Sequence, residues 1–239
     1  MNKLIQGLAL LIAGAAGTNT HAAIIISEAA PWSSEYSPIG ADWFELTNTG
    51  ASAVDITGWR MDDGSASFAA SVALTGVTTI PAGQSVIFIE GDGSINASFI
   101  DNWFGNHPQA KILYENGDTI FAPAELLIGN YDGSNVDLSI HGDGINIYDA
   151  NGGLQATVSF GQSAMGYTFD YDSCTTGTIP RLSVHWVCGA FAAINSPVLE
   201  VGSPGNIAPV PEPETYVLML AGLGIVSFAA KRRKLATRT

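Results

Sequence analysis

Basic residues are scarce. The 239-residue chain holds nine Lys and Arg against 22 Asp and Glu, for a formal charge of −13. Six of the nine lie at the ends: Lys3 near the start, and Lys231, Arg232, Arg233, Lys234 and Arg238 at the finish. Between Ala23 and Val210 only Arg60, Lys111 and Arg181 remain, against 20 acids. Such a body is not drawn to phosphate backbones, because counterion release needs basic side chains, so nucleic acid is excluded as a partner. Anionic lipid surfaces are excluded on the same ground. Catalytic patterns are missing as well. No P-loop, G-x-S-x-G or H-E-x-x-H is present, and His107, His141 and His185 stand apart. No catalytic residue is therefore assigned, and the chain is expected not to be an enzyme. A long amphipathic helix and a repeat of 20–50 residues are both lacking.

Cysteine is nearly absent too. Cys174 and Cys188 are the only two. An even pair in an exported chain points to a disulfide, and closing a loop of about 15 residues stabilises by about 3 kcal/mol in the chain-entropy account. Two thiols and His185 are too few to read as a metal site. The acids in Gly-rich loops, namely Asp62, Asp63, Asp92, Asp118, Asp132, Asp137, Asp143 and Asp149, offer oxygen ligands of the kind Ca²⁺ takes. They form no EF-hand run, and Asp-Gly and Asn-Gly pairs are ordinary turn chemistry. No cofactor and no metal residue is assigned, a structural Ca²⁺ being the one candidate.

What the chain does have is two apolar ends. Residues 1–22 read as a secretory signal helix. Lys3 supplies the positive start, Leu4–Ala16 the apolar stretch, and small Thr20 and Ala22 a cleavage site before Ala23. Thr215–Ala230 carries no charge and would span about 24 Å as a helix, close to a hydrocarbon core of about 30 Å. Lys231, Arg232, Arg233 and Lys234 follow it, and such a cluster stays cytoplasmic. The expected organisation is a signal peptide (1–22), a folded domain (23–206), a linker (207–214), a transmembrane helix (215–230) and a basic tail (231–239).

The body reads as strands. Ile24–Glu28, Asp42–Asn48, Val54–Met61 and Ser85–Glu90 are β-rich runs separated by turn residues such as Asn48-Thr49-Gly50 and Pro81-Ala82-Gly83. Ile145–Tyr148 and Leu154–Phe160 alternate around Asp149–Gly153, a hairpin pattern. Trp43 and Trp59 belong to strand runs and read as core. Trp32, Tyr36, Trp103 and Tyr114 are the candidates for an exposed, sugar-stacking face. Several antiparallel strands in about 180 residues suggest a sandwich.

Two resemblances complete the reading. Pro211-Glu212-Pro213, the apolar segment and the terminal basic cluster together resemble a PEP-CTERM sorting signal. That resemblance implies export in a Gram-negative bacterium by way of signal peptidase and an inner-membrane intermediate. It then implies cleavage by exosortase and a place at the cell surface or in an exopolysaccharide matrix. A permanent membrane anchor is the alternative. Trp43–Gly50 (WFELTNTG), Val54–Trp59, the Pro81-Ala82-Gly83 turn, the Gly142–Phe160 hairpin and Gly202-Ser203-Pro204-Gly205 resemble a lamin tail domain. This implies an all-β, immunoglobulin-like antiparallel β-sandwich, here with an insertion around 91–135 that is either lid-like or made of extra strands. The function expected is that of a non-enzymatic surface or matrix protein. A carbohydrate- or Ca²⁺-dependent binding module, and a secreted hydrolase using two carboxylates, are the alternatives.

Overall fold

The computed structural model describes residues 24–105, 126–170, 181–185 and 189–205, together with the strands Lys111–Leu113 and Thr119–Phe121. In chain order the strands are β1 (Ile24–Ala30), β2 (Trp43–Asn48), β3 (Val54–Asp55), β4 (Arg60–Asp62), β5 (Val72–Thr75), β6 (Thr79–Ile80), β7 (Ser85–Glu90), β8 (Lys111–Leu113), β9 (Thr119–Phe121) and β10 (Leu127–Tyr131). They continue as β11 (Asp143–Tyr148), β12 (Leu154–Phe160), β13 (Phe169–Asp170), β14 (Arg181–Leu182), β15 (Phe191–Ala192) and β16 (Val201–Gly202). The helices are a single turn, α1 (Ser33–Tyr36), and α2 (Asn96–Phe104). The fold is all-β.

Ten strands make one sheet in the order β12-β11-β4-β5-β10-β7-β2-β1-β13-β14. Strand β5 is its corner. Val72 and Ala73 pair with Met61 and Arg60 of β4, while Leu74 and Thr75 pair with Tyr131 and Asn130 of β10. Strands that turn a corner in this way let two halves of a sheet face each other. Phe44, Val86 and Phe88 from one half accordingly pack with Met61, Ile145, Ile147 and Phe160 from the other, forming the inner core. Phe44 stacks on Phe88 with ring centroids 5.6 Å apart.

The central strands are buried on both faces, so their sequences do not alternate. In β7, Val86 and Phe88 enter the inner core while Ile87 and Ile89 enter an outer one. The unbroken apolar run is what double burial requires. The outer core is closed by α2, whose Phe99, Trp103 and Phe104 lie on Trp43, Ile87 and Ile89, and by Phe191 of β15. Trp103 meets Trp43 and Phe191 edge-on, at 5.6 and 5.8 Å. Gly105, with φ +62°, ends the helix in the left-handed conformation that glycine adopts without strain. The backbone N–H groups of Ile194 and Asn195 then donate to the carbonyls of Trp103 and Asn102.

Two expectations are corrected. The main sheet is not purely antiparallel, because β10 runs parallel to β7, with Leu127 opposite Val86 and Tyr131 opposite Glu90. A parallel pair needs a crossover, and the chain between Gly91 and Leu126 supplies one containing α2. The stretch read as an insertion thus contributes a central strand. Trp32 and Trp103, read as candidates for an exposed face, are fully buried. Trp32 donates its Nε1–H to the Tyr167 carbonyl at 2.7 Å. Tyr36 is exposed, and Tyr114 lies outside the described residues. Trp43 and Trp59 are core residues, as expected.

Candidate functional site: the carboxyl row at the chain exit

Strand β1 starts with Ile24 and Ile26 on the inner core. Strict alternation would send Glu28 there as well. A bulge prevents it. Ile26 faces Leu46 and Glu28 faces Glu45, so Ser27 is an extra residue, and such a residue re-aims the side chains that follow. Ala29 then takes the inner side. Glu28 falls between Glu45 of β2 and Asp170 of β13 in the ladder. Three carboxyls, all buried, stand in a row across three adjacent strands.

The row grips the end of the domain. Ser203 donates its backbone N–H to Glu28 Oε1 at 2.7 Å and its hydroxyl to Asp170 Oδ2 at 2.9 Å. Gly205 donates its N–H to Glu45 Oε2 at 2.5 Å. Hydroxyls complete the set: Thr168 donates to Glu28 Oε1 at 2.6 Å and Ser27 to Glu45 Oε1 at 2.6 Å. Thr47 donates to Ser27 at 2.8 Å. Among the described residues Glu28 Oε2 has no hydrogen-bond partner. Burial, then the charges of Asp170 and Glu45, push the Glu28 carboxyl well above its ordinary range. Burial raises Glu45 to about 7, against the opposing pull of its donors Ser27 and Gly205. Carboxyls this close and this dry do not all ionise together.

A second acidic group lies at the far end of the inner face. Asp42, Glu90 and Tyr131 are neighbours on β7 and its flanks. Asp42 donates its backbone N–H to Glu90 Oε2 at 3.3 Å, and Ser34 N–H donates to Asp42 Oδ1 at 2.8 Å. Burial raises Asp42 to about 7 and Glu90 above its usual value. The Tyr131 hydroxyl is buried with no hydrogen-bond partner among the described residues. Beside it, Glu90, Asp92, Ser94, Asp132 and Ser134 line an open hollow of about 440 Å³. The Glu90 carboxyl lies directly on the Gly133 backbone, where a Cβ would be 1.9 Å from Oε1.

The exposed acids bind their own loops. Asp55, Asp63, Asp92, Asp132 and Asp149 each accept the N–H two residues on, at 2.8–2.9 Å, the Asx turn. Asp143 bridges three segments by accepting from Gly64, Ser139 and Gly144. Among the described residues no three His, Cys, Asp or Glu side chains are placed to hold a metal ion. The residues singled out by sequence at the termini lie outside the described residues: Ala22 and Ala23; Pro211, Glu212 and Pro213; Lys231, Arg232, Arg233 and Lys234. So do Cys174, Cys188 and the apolar segment 215–230. Among the described residues no helix is long and apolar enough to cross a membrane.

The carboxyl row escaped sequence reading because Glu45 sits in WFELTN as a polar alternate, and nothing announces the bulge at Ser27. The available signal was negative: a strand acid in a body with three basic residues has little chance of a salt-bridge partner.

An all-β domain with a doubly covered sheet, ending in a clasped C-terminal exit, is the class of protein the structure defines. The lamin tail domain model matches residues 18–162, more than half of the chain, and the chain belongs to that family. A PEP-CTERM protein-sorting motif matches residues 209–234. That motif marks an exported surface protein, sorted at the membrane of a Gram-negative bacterium and processed by exosortase. No curated protein matches the chain.

Proposed function

We propose that this chain is a non-catalytic surface protein whose lamin-tail body, an immunoglobulin-like sandwich, is the cargo and whose C-terminal segment is the address. In this reading the signal peptide is removed before Ala23. Segment 215–230 holds the protein at the inner membrane, Lys231–Lys234 keep its tail cytoplasmic, and exosortase cuts near Pro211-Glu212-Pro213. The mature domain then joins the cell surface or an exopolysaccharide matrix. Cys174 and Cys188 form a disulfide in the oxidising compartment. The acidic surface keeps the domain soluble.

One observation carries this reading. Gly205, the last described residue, is pinned by Glu45, and the sorting motif begins at residue 209. Only residues 206–208 separate the two in sequence. Intact mass of the protein recovered from its host tests the proposal. The expected product lacks residues 1–22 and everything beyond the Pro-Glu-Pro region, and gains two hydrogens on reduction. A strain lacking exosortase should accumulate the uncut form. An uncut C-terminus in the wild-type strain would refute it.

A further inference from the structure

Single exposed apolar side chains are ordinary on a folded surface, whereas a cluster of them marks contact with something else. Among the described residues nine large apolar side chains are exposed, and six of them, Met165, Tyr167, Leu182, Val184, Ile194 and Leu199, fall between 165 and 199. Met165, Val184 and Leu199 are more than half exposed. Five of the six share one corner of the fold. Leu182 lies opposite Phe169 in the β13–β14 ladder. Ser183 donates its N–H to the Thr168 carbonyl in the same register, so Val184 falls opposite Tyr167. On the other side, Tyr167 bridges Val201 in parallel, which sets Leu199 beside Met165. The Gly166 backbone lies directly against the Leu199 carbonyl. Neighbours on adjacent strands stand about 5 Å apart, so the five lie together.

The patch carries no acid. Asp170 and Glu200 are the only acids among the described residues from 163 to 205, and both are buried. Elsewhere exposed apolar side chains sit among acids. Tyr36 follows exposed Glu35, and Leu154 follows the Asp149 turn. The patch also adjoins the exit, since Leu199 and Val201 lead straight to Gly205. From Gly205 to Thr215, where the uncharged segment begins, is ten residues, at most about 35 Å. A domain of about 180 residues is about 40 Å across. The tether is thus no longer than the domain is wide, and it holds this corner nearest to the segment.

We propose that this patch is a membrane-contact face: while segment 215–230 holds the chain at the membrane, Met165, Tyr167, Leu182, Val184 and Leu199 enter the headgroup–acyl boundary of the bilayer beside it. The contact is apolar, not electrostatic. Apolar side chains gain by leaving water for that boundary whatever the lipid charge, and tyrosine suits it with an apolar ring and a polar tip. Charge sets the orientation. The 20 acids of the body are repelled by an anionic surface, so the acid-free patch is the face the domain presents at least cost. Tethering raises the local concentration that five side chains would otherwise lack. A second copy of the chain is the competing occupant, but two such acidic bodies repel each other, and nothing ties a second copy to this corner. The tether rests on the sorting function proposed above; the patch does not.

The chain freed of its signal peptide, reconstituted in phosphatidylcholine vesicles that carry a diazirine on the acyl chain, tests this. Photolysis should label peptides covering 163–169, 181–185 and 197–202, and leave those around Tyr36 and Leu154 unlabelled. The double variant Met165→Glu, Leu199→Glu should lose the label at the patch and keep the wild-type melting temperature, because both positions are exposed. Adding phosphatidylglycerol should lessen the label, the reverse of what a basic surface would do. Label spread evenly over the domain, label that the double variant retains, or cross-links between copies at the patch in place of lipid overturns the proposal. Should the double variant not fold, Leu199→Ser decides by the same loss of label. Carbonate extraction of the same vesicles reports the tether separately. A chain stripped by carbonate refutes the tether, and the membrane-contact face with it. A chain that stays inserted but is labelled evenly refutes the face alone.

Discussion

Glu45→Gln isolates the energetic cost of ionising the row. The ordinary glutamate value is 4.5, and burial raises Glu45 to about 7. Between these values the folded chain holds a proton that the unfolded chain has released. Stability therefore falls as pH rises through this window. At about 1.4 kcal/mol per pH unit, the loss is about 3 kcal/mol, a large part of the 5–15 kcal/mol typical of a domain. Glutamine imitates the protonated acid. Its amide oxygen can take the Gly205 N–H and its NH₂ can donate to the Ser27 hydroxyl, the closest partners of Glu45. Urea unfolding at about pH 5 and pH 8 measures the difference. The wild type should lose about 3 kcal/mol more than the variant between these conditions, and the variant should be the more stable at pH 8. Glu28, Asp42 and Glu90 also titrate upward, so the wild-type slope alone is steeper than Glu45 requires. Only the difference between the two proteins counts, and it belongs to the row as a unit. Parallel losses in wild type and variant would refute the reasoning. So would a wild type that gains stability over the window.

Trp103→Ala should cost about 3–5 kcal/mol in urea unfolding, because the indole is fully buried between Trp43 and Phe191; a loss under 1 kcal/mol would show that α2 is not packed as described. Gly129→Ala should destabilise the fold by about 1–3 kcal/mol through overpacking and so lower the melting temperature, since its Cβ would lie 2.5 Å from both the Phe88 ring and the Thr75 carbonyl; an unchanged melting temperature would contradict the close approach of β10 to β7. Asp42→Asn should flatten part of the loss of stability above about pH 4, because Asp42 is raised from 3.8 to about 7 and its amide oxygen can keep the Ser34 N–H; a pH–stability curve identical to wild type would reject that assignment.

How legible the fold was depends on how many faces each strand buries. The β11–β12 hairpin was plain because β12 is wet on one side: Leu154 and Gln155 are exposed and only Phe160 is buried, so period-2 alternation survives. Strand β7 could be located, but its run SVIFIE does not say which residues face inward. That needed both cores. Helix α2 was missed for a different reason. It has nine residues, no side chain capping its first N–H groups, and an apolar face made of large aromatics that reads equally well as strand. Its helical state depends on the platform of Trp43, Ile87 and Ile89 beneath it, a tertiary effect that overrides weak propensity. The Asx turns, by contrast, were written in Asp-x-Ser and Asp-x-Asn-Gly, where the chemistry is local.

The carboxyl row was illegible for the deepest reason, since it depends on a bulge, a ladder register and a return of the chain from 163–205. The lamin tail match ends at residue 162. The residues beyond it supply β13 to β16, and with them Asp170, Phe191 and the exit. The part of the domain nearest the sorting motif is therefore the part outside the family match. There the returning chain is held by hydrogen bonds from Ser203 and Gly205 to Glu28, Glu45 and Asp170, so two of its three acceptors lie inside the matched region and the unmatched part of the domain depends on them.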